Sequence, residues 1–360
     1  MASEVSREAI LSALSKIQDP DLHRDIVSLG FVKEEEIVID GDSVSVRIVL
    51  TTPACPVREQ MKREAEELLL AIPGVERAEV TMDAEVRQTA MRGQRPVDGV
   101  RNIIAVASNK GGVGKSTVAV NLALALKGFG ARVGLCDADL TGPNVPTMLG
   151  VGAGFQADSG LAIIERYGIK LASIGFVLKK GLAVVWRGPM IGTGVRQLLH
   201  DLPWGEDGEL DYLIIDLPPG TSDASMSMAQ EAPIAGTVIV TTPNAVSLED
   251  AMKAVTMFEK LQVPVFGVVE NMSFFACPHC GERTDIFGHG GAREAAEELG
   301  LDFLGEIPLD VRVREGADAG TPIVVSEPES PVSVAIGEIA QKVAAKTSVQ
   351  HFFAETAAAS

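Results

Sequence analysis

The run Ile103-Ile104-Ala105-Val106-Ala107-Ser108-Asn109-Lys110-Gly111-Gly112-Val113-Gly114-Lys115-Ser116-Thr117 decides the fold. It reads as an apolar strand, a glycine-rich turn and the start of an amphipathic helix. In that context converging backbone N–H groups and the helix N-terminus bind an anion, and glycines let the backbone approach closely. Lys115 is placed to reach β- and γ-phosphates and the Ser116 hydroxyl to bind Mg²⁺. The cradle comprises Gly111, Gly112, Val113, Gly114, Lys115, Ser116 and Thr117. Asn109 stands where the ordinary G-x-x-x-x-G-K-[ST] pattern has its first glycine. Lys110, a second lysine five residues before Lys115, has no structural reason in a plain turn.

Outward from this loop, residues 100 to about 346 repeat an order of apolar strand, turn and helix. Strands are expected at Ile103–Ala107, Val133–Cys136, Tyr212–Ile215, Thr237–Val240 and Val265–Val269, apolar on both faces. Such runs separated by helices indicate a parallel sheet covered by helices, an α/β architecture. Asp216 closes the apolar run Tyr212-Leu213-Ile214-Ile215, as a carboxylate holding Mg²⁺ through water would at the C-terminal end of a strand. Asp137 and Asp139 end an earlier strand in GLCDADLTGPNVP.

K-G-G-V-G-K-S-T resembles the deviant Walker A loop of the MinD/ParA/nitrogenase iron-protein class. The resemblance implies that Lys110 reaches across a dimer to the partner's nucleotide. It also implies that Asp139 positions or deprotonates the attacking water, that Asp137 supports the Mg²⁺ shell, and that Asn271 reads the base. No Lys-x-Asp follows Asn271, so the usual guanine reader is absent and ATP is favoured.

Four cysteines (Cys55, Cys136, Cys277, Cys280) in 360 residues are too few for a secreted disulfide framework. Cys277-Pro278-His279-Cys280 supplies two thiolates, whereas a zinc or iron-sulfur site normally takes four ligands. Three readings stay open: zinc completed by His289 and another group, a cluster shared by two chains across a two-fold axis, or a redox pair. The last lacks the usual position at a helix N-terminus after the first strand of a βαβ unit. Cys136, inside an apolar strand, reads as core.

V-E-N-M-S-F-F-A-C-P-H-C-G, I-P-L-D-V-R-V-R-E-G-A-D-A-G-T-P and W-R-G-P-M (Trp186 to Met190) are similar to the Mrp/ApbC family of iron-sulfur cluster carrier ATPases, over residues 100 to about 345. The resemblance implies a homodimer, a labile 4Fe-4S cluster between paired Cys277 and Cys280, slow ATP hydrolysis, cluster donors, and transfer to apo iron-sulfur client proteins. Asp216-Leu217-Pro218 stands where Asp-Thr-Pro is commoner, with Asp216 and Pro218 kept.

The first 87 residues follow a different grammar. Helical spacing of Ile10, Leu14 and Ile17, alternation over Val44, Val46, Ile48 and Leu50 after a Gly41-Asp42 turn, a helix over Val57–Ile72 and a strand at Val75–Met82 give a small α-β-β-α-β unit. Asp19-Pro20-Asp21-Leu22 and Thr52-Pro53-Ala54-Cys55-Pro56-Val57 are similar to the PaaD-like domain associated with iron-sulfur assembly. Cys55, at a helix N-terminus, is expected to favour thiolate and to serve as a transient ligand or docking contact, or else to be inert. Residues 88–99, rich in Gly, Pro and Arg, read as a linker, and 347–360 as a flexible tail.

Composition sets the remaining limits. A net charge of −18 opposes phosphate backbones and anionic lipid, and 4% aromatic residues argue against base stacking, so neither nucleic acid nor membrane is an expected partner. No apolar run approaches the ~18 to 20 residues of a bilayer span. The start, MASEVSREAILSALSK, lacks a basic segment followed by an apolar one, and a cytoplasmic protein is expected. A MinD/ParA-like positioning ATPase is the competing function, but the tail offers no basic amphipathic helix. A zinc-bridged targeting ATPase would need a Met-rich groove, and Met226, Met228, Met252 and Met257 read instead as core.

Overall fold

The computed structural model describes residues 5–88, 94–139, 142–151, 161–176, 188–220 and 223–358. The chain divides into two compact units, Met1–Arg87 with His351–Ser360, and Gln88–Gln350. Trp186 and Arg187 of the W-R-G-P-M motif, and most of the expected linker's first half (89–93), lie outside the described residues.

In the first unit α1 (Arg7–Leu14) starts at Ser6, whose hydroxyl accepts from the Ala9 amide and so satisfies one orphan donor. A two-residue ribbon, β1 (Gln18–Asp19) and β2 (Arg24–Asp25), leads to the hairpin β3 (Val32–Asp40) and β4 (Ser43–Leu50). Helix α2 (Arg58–Leu70) then crosses over to β5 (Arg77–Ala84), which pairs parallel to β4. The sheet order is β3–β4–β5. Met61, Ala65 and Leu69 recur every four residues on α2 and close the core over Ile37, Val46 and Ile48. Truncating Met61, 2% exposed, to alanine would cost about 2–5 kcal/mol.

The second unit is one sheet flanked by helices. In chain order it runs β6 (Val100–Ala107), α3 (Lys115–Gly128), β7 (Val133–Asp137), α4 (Val145–Met148), β8 (Ile164–Arg166) and β9 (Ile169–Ser173). Next come α5 (Gly188–Arg196), β10 (Leu210–Asp216), α6 (Asp223–Glu231), β11 (Ile234–Thr241), α7 (Ala245–Lys260), β12 (Val265–Ala276) and β13 (Arg283–Thr284). The last elements are α8 (Gly291–Glu298), β14 (Phe303–Leu309), α9 (Val311–Ala319), α10 (Ile323–Ser326) and α11 (Pro331–Ala358), whose residues from His351 onward belong to the first unit. Strands lie in the order β12–β11–β6–β10–β7–β9–β8, with β13 and β14 both pairing to the long β12. All described pairings in this sheet are parallel except β8 on β9 and β13 on β12. Every residue of β11 is buried and β10 is nearly so, which is why both read as unbroken apolar runs. β6 lies between β10 and β11, and its carboxyl end is therefore the crevice at which open α/β sheets bind ligands.

The expected tail is helical as far as Ala358. Val343, Thr347 and His351 recur at four-residue spacing on its buried face, and Phe352 packs on the core of the first unit. The alanine-rich end lacks large apolar residues, but Ala and Glu are strong helix formers.

Candidate functional site

The P-loop leaves the end of β6 and delivers Lys115 as the first residue of α3. Gly114, just before it, is in the left-handed region at φ +85°, where a Cβ would stand 2.1 Å from Asn271 Nδ2. Only glycine fits there, because both the backbone conformation and the space exclude a side chain. Asn271 Nδ2 donates to the Val113 carbonyl at 2.8 Å, so strand β12 is tied directly to the phosphate loop.

Lys115, Asp216 and Asp137 are brought together by register. Asp216 on β10 is paired with Asp137 on β7, which sets two buried carboxylates side by side. Lys115 Nζ donates to Asp216 Oδ1 at 2.5 Å and lies 3.2 Å from Ser116 Oγ. Burial drives the Asp216 carboxyl pKa upward, against the opposing pull of Lys115 and Ser116. Burial, then the neighbouring Asp216, raises Asp137 as well. Ser173 Oγ, at the end of β9, donates to Asp137 Oδ2 at 2.9 Å, and the Asp139 amide approaches its Oδ1 at 3.3 Å. Asp216 Oδ2 is buried and has no partner among the described residues. Two carboxylates, one ammonium and an orphaned oxygen leave a deficit of positive charge that a hydrated divalent cation fits. Asp139 is also buried and accepts from the Gly142 amide through Oδ1 at 3.2 Å. Lys110 is exposed at the loop's outer side, where its carbonyl accepts from Ser108 Oγ at 3.0 Å. Next to it, Asn109 Nδ2 lies 3.4 Å from Asp250 Oδ1 on α7.

A cleft of about 280 Å³ adjoins the loop and is lined by Gly114, Thr117, Asn271, Met272, Pro308 and Val313 among others. Its largely apolar walls, with the Asn271 amide and the charged Asp310, Arg314 and Asp318 also in the lining, suit a flat heterocycle attached to a phosphate held in the loop.

The paired thiols lie just beyond the end of β12. Past Ala276 the chain turns through Cys277-Pro278-His279-Cys280 and returns as β13. Cys277 N donates to Glu282 O at 2.9 Å and Gly281 N to Cys277 O at 2.8 Å, a closed knuckle. Cys277 is half-buried and Cys280 exposed. Amides of His279 and Cys280 facing the Cys277 sulfur, with the Cys280 thiol, lower its pKa below the ordinary thiol value. Two adjacent thiols of this kind offer half of a tetrahedral ligand set.

Two expectations are corrected, those for Cys55 and for two of the methionines. His289, considered as a zinc ligand with the cysteines, has Arg283 Nη2 at 2.6 Å and Ser273 Oγ at 3.1 Å from Nδ1, with Glu270 and Glu306 at 3.7 Å. Cys55 has its pKa raised by burial, with Asp19 and Asp21 adding to the effect, so the helix N-terminus does not yield a thiolate. Met228 is core, but Met226 and Met252 are 36% and 37% exposed. Cys136 is fully buried, and burial pushes its thiol pKa far up. Sequence reasoning missed Ser173, because the short β9 carries no strong pattern, and missed the Glu270 cluster altogether.

A family profile described as NUBPL iron-transfer P-loop NTPase matches residues 99–344. A second, described as iron-sulfur cluster assembly protein, matches residues 7–82. An iron-sulfur cluster carrier protein of Synechocystis is 46% identical over 353 residues, covering 96% of this chain and 99% of the relative. Among solved structures, a nucleotide-binding protein of Archaeoglobus fulgidus in complex with ADP shares 41% identity at a TM-score of 0.55, covering 65% of this chain and 91% of that one. The cell division ATPase MinD of Pyrococcus furiosus shares 25% identity at a TM-score of 0.51, covering 67% of this chain and 98% of that one. The phosphate loop at the end of β6, the buried carboxylates beside it and a profile match across most of the chain agree: the chain belongs to the NUBPL/ParA family of iron-transfer P-loop NTPases, with an iron-sulfur assembly domain ahead of the NTPase domain.

Proposed function

We propose that this protein is a cytoplasmic, ATP-dependent carrier that holds a 4Fe-4S cluster between two copies of the chain and passes it to apo-proteins. The observation carrying this reading is the Cys277/Cys280 pair, half-buried and exposed respectively, in the turn directly after β12, the strand that reaches the P-loop through Asn271. Each chain offers two thiols, so a four-iron cluster as cargo needs a second copy. The name of the Synechocystis relative supports the same reading.

In this proposal the amides from Gly111 to Thr117 cradle the phosphates, Lys115 binds the β- and γ-phosphates, and Asn271 faces the base in the cleft. Ser116, Asp216 and Asp137 would hold Mg²⁺, which supplies charge neutralisation on the phosphate oxygens. Asp139 orients the attacking water and Lys110 reaches the partner's nucleotide. Hydrolysis is slow, because the site acts as a timer for cargo retention and release.

The test measures iron, acid-labile sulfide and zinc per chain on anaerobic protein and on its Cys277→Ser/Cys280→Ser form. About two irons and two sulfides per chain, lost in the variant, are expected for one cluster per dimer. Stoichiometric zinc, with no cluster even after reconstitution, would overturn the cargo and favour a zinc-bridged targeting or positioning ATPase. For the nucleotide half, Asp139→Ala and Asp216→Ala are expected to stay folded and lose hydrolysis; undiminished turnover in both would refute the site. Lys110→Ala is expected to impair hydrolysis or dimer closure, and wild-type behaviour in both would refute its cross-dimer role.

A further inference from the structure

Behind the cysteine knuckle lies a second group of metal-ligating side chains, separate from Cys277 and Cys280. Glu270 on β12 and Glu306 on β14 are register partners on parallel strands, so their carboxylates leave the sheet side by side. His289, in the segment before α8, brings Nδ1 to 3.7 Å from Glu270 Oε1 and 3.7 Å from Glu306 Oε2. One ligand atom from each of the three lies within 4.8 Å of the other two.

We propose that Glu270, His289 and Glu306 bind one first-row divalent cation of the Fe²⁺, Co²⁺ or Zn²⁺ kind, and that Arg283 occupies its place when the cation is absent. This site goes beyond the cluster reading and does not rest on it.

Glu270 is wholly buried and is oriented by three donors: Gly290 N at 3.1 Å, Ala292 N at 2.8 Å and Ser273 Oγ at 2.5 Å. Fixed outer hydrogen bonds of this type orient a ligating carboxylate, and three donors leave it a free lone pair. Ser273 also lies 3.3 Å from Glu306 Oε2, so one hydroxyl spans both carboxylates. Two ligands on one ion, each ~2.0–2.2 Å from it, stand a little over 3 Å apart, and the 3.7 Å separations need only a small contraction. One imidazole nitrogen with two carboxylates suits borderline divalent ions; Ca²⁺ takes oxygen ligands alone, and Cu⁺ prefers sulfur.

Arg283 supplies the positive charge from outside. Its Nη2 stands 2.6 Å from His289 Nδ1 and 3.0 Å from Nε2, and its Nη1 lies 3.8 Å from Glu306. A neutral imidazole has one acceptor nitrogen, so the guanidinium satisfies only one of its two short contacts to the ring. Its side chain is 40% exposed and stacks on Phe274 at 3.9 Å, and such exposed ion pairs are readily exchanged.

The experiment titrates Co²⁺ into metal-stripped, nucleotide-free, full-length Cys277→Ser/Cys280→Ser protein, followed by d–d absorption and metal analysis. Saturable binding of about one ion per chain without thiolate charge-transfer bands is expected. His289→Gln and Glu306→Gln, both at partly exposed positions, are each expected to weaken it about tenfold or more, and Arg283→Ala to tighten it by up to about fivefold. Melting curves check that each variant is folded, and if one is not, the other carries the test. Absence of saturable binding, or binding indifferent to the folded His289 and Glu306 variants, would identify an ion-pair network only. The background lacks Cys277 and Cys280, the two thiols proposed to hold the cluster, so either result leaves the iron and sulfide measurement on the wild-type chain to decide the cargo separately.

Discussion

Replacing Lys115 by alanine should do more than abolish nucleotide binding: it should destabilise the empty protein. The ammonium is 6% exposed and pairs at 2.5 Å with Asp216, itself 1% exposed, while Asp137 on the next strand is fully buried. Removing one partner of a buried pair leaves an uncompensated charge and typically costs about 3–5 kcal/mol. The cost has a ceiling, because Asp216 can take up a proton instead. Protonating a carboxyl of ordinary pKa 3.8 at pH 7.5 costs about 1.36 × 3.7 ≈ 5 kcal/mol, and at pH 5.3 only about 2 kcal/mol. Urea unfolding in EDTA without nucleotide, read by tryptophan fluorescence, measures both values. Trp186 and Trp204, the two tryptophans of the chain, belong to the Gln88–Gln350 unit, so the signal reports on that unit. A cost near 3–5 kcal/mol at pH 7.5, falling to about 2 kcal/mol or less at pH 5.3, is expected. Adding Asp216→Asn to Lys115→Ala should recover much of the loss at pH 7.5. The reasoning is refuted if Lys115→Ala costs under about 1 kcal/mol at pH 7.5, or the same at both pH values.

Three further outcomes follow from the same geometry. Gly114→Ala combines left-handed strain of about 1–2 kcal/mol with a clash against Asn271, so in an Asn271→Ala background its cost should shrink to the strain alone; additive costs by chemical denaturation would show that the two do not touch. Asp137, whose pKa is raised from 3.8 to about 8 by burial and by Asp216, contributes stability that is complete below about pH 4 and lost as pH rises toward 8. Metal-free protein should therefore lose stability across that window, and Asp137→Asn should flatten the slope in denaturant melts. Glu270→Ala strips the amides of Gly290, just before α8, and Ala292, in its first turn, of their acceptor and should cost about 1–3 kcal/mol, with faster hydrogen exchange at those amides.

The features legible from sequence are those that local spacing dictates. Glycines at 111, 112 and 114 with lysines at 110 and 115 make sense only around an anion, and Asp216 announces itself by ending a run apolar on both faces. Parallel pairing followed from those runs, and each of the five expected strands is present, whereas their order in the sheet was not legible from them. The hidden features depend on pairing between distant segments. Ser173 reaches Asp137 only because β9 lies next to β7, and a five-residue strand leaves little pattern. The α11 extension was hidden for a different reason, since Ala-rich helix and Ala-rich coil look alike until a buried face is known.

Register also explains why the two charged centres share one design. Asp137 beside Asp216 and Glu270 beside Glu306 are both carboxylates placed opposite each other on parallel neighbours at the carboxyl side of the sheet. Like charges so placed repel unless a cation joins them, and each pair has a basic side chain beside it: Lys115 from the start of α3 just after the phosphate loop, Arg283 from β13 just after the cysteine knuckle. The first cation is buried and held at 2.5 Å. Arg283 is 40% exposed and 3.8 Å from its carboxylate, so it can be exchanged. Between the two centres runs β12, with Asn271 on the P-loop, Met272 at φ +56° where the β14 register shifts, and Cys277 just past its end. A left-handed non-glycine residue at that break is strain held by its surroundings, here the pairing of β12 with β14 on either side of it.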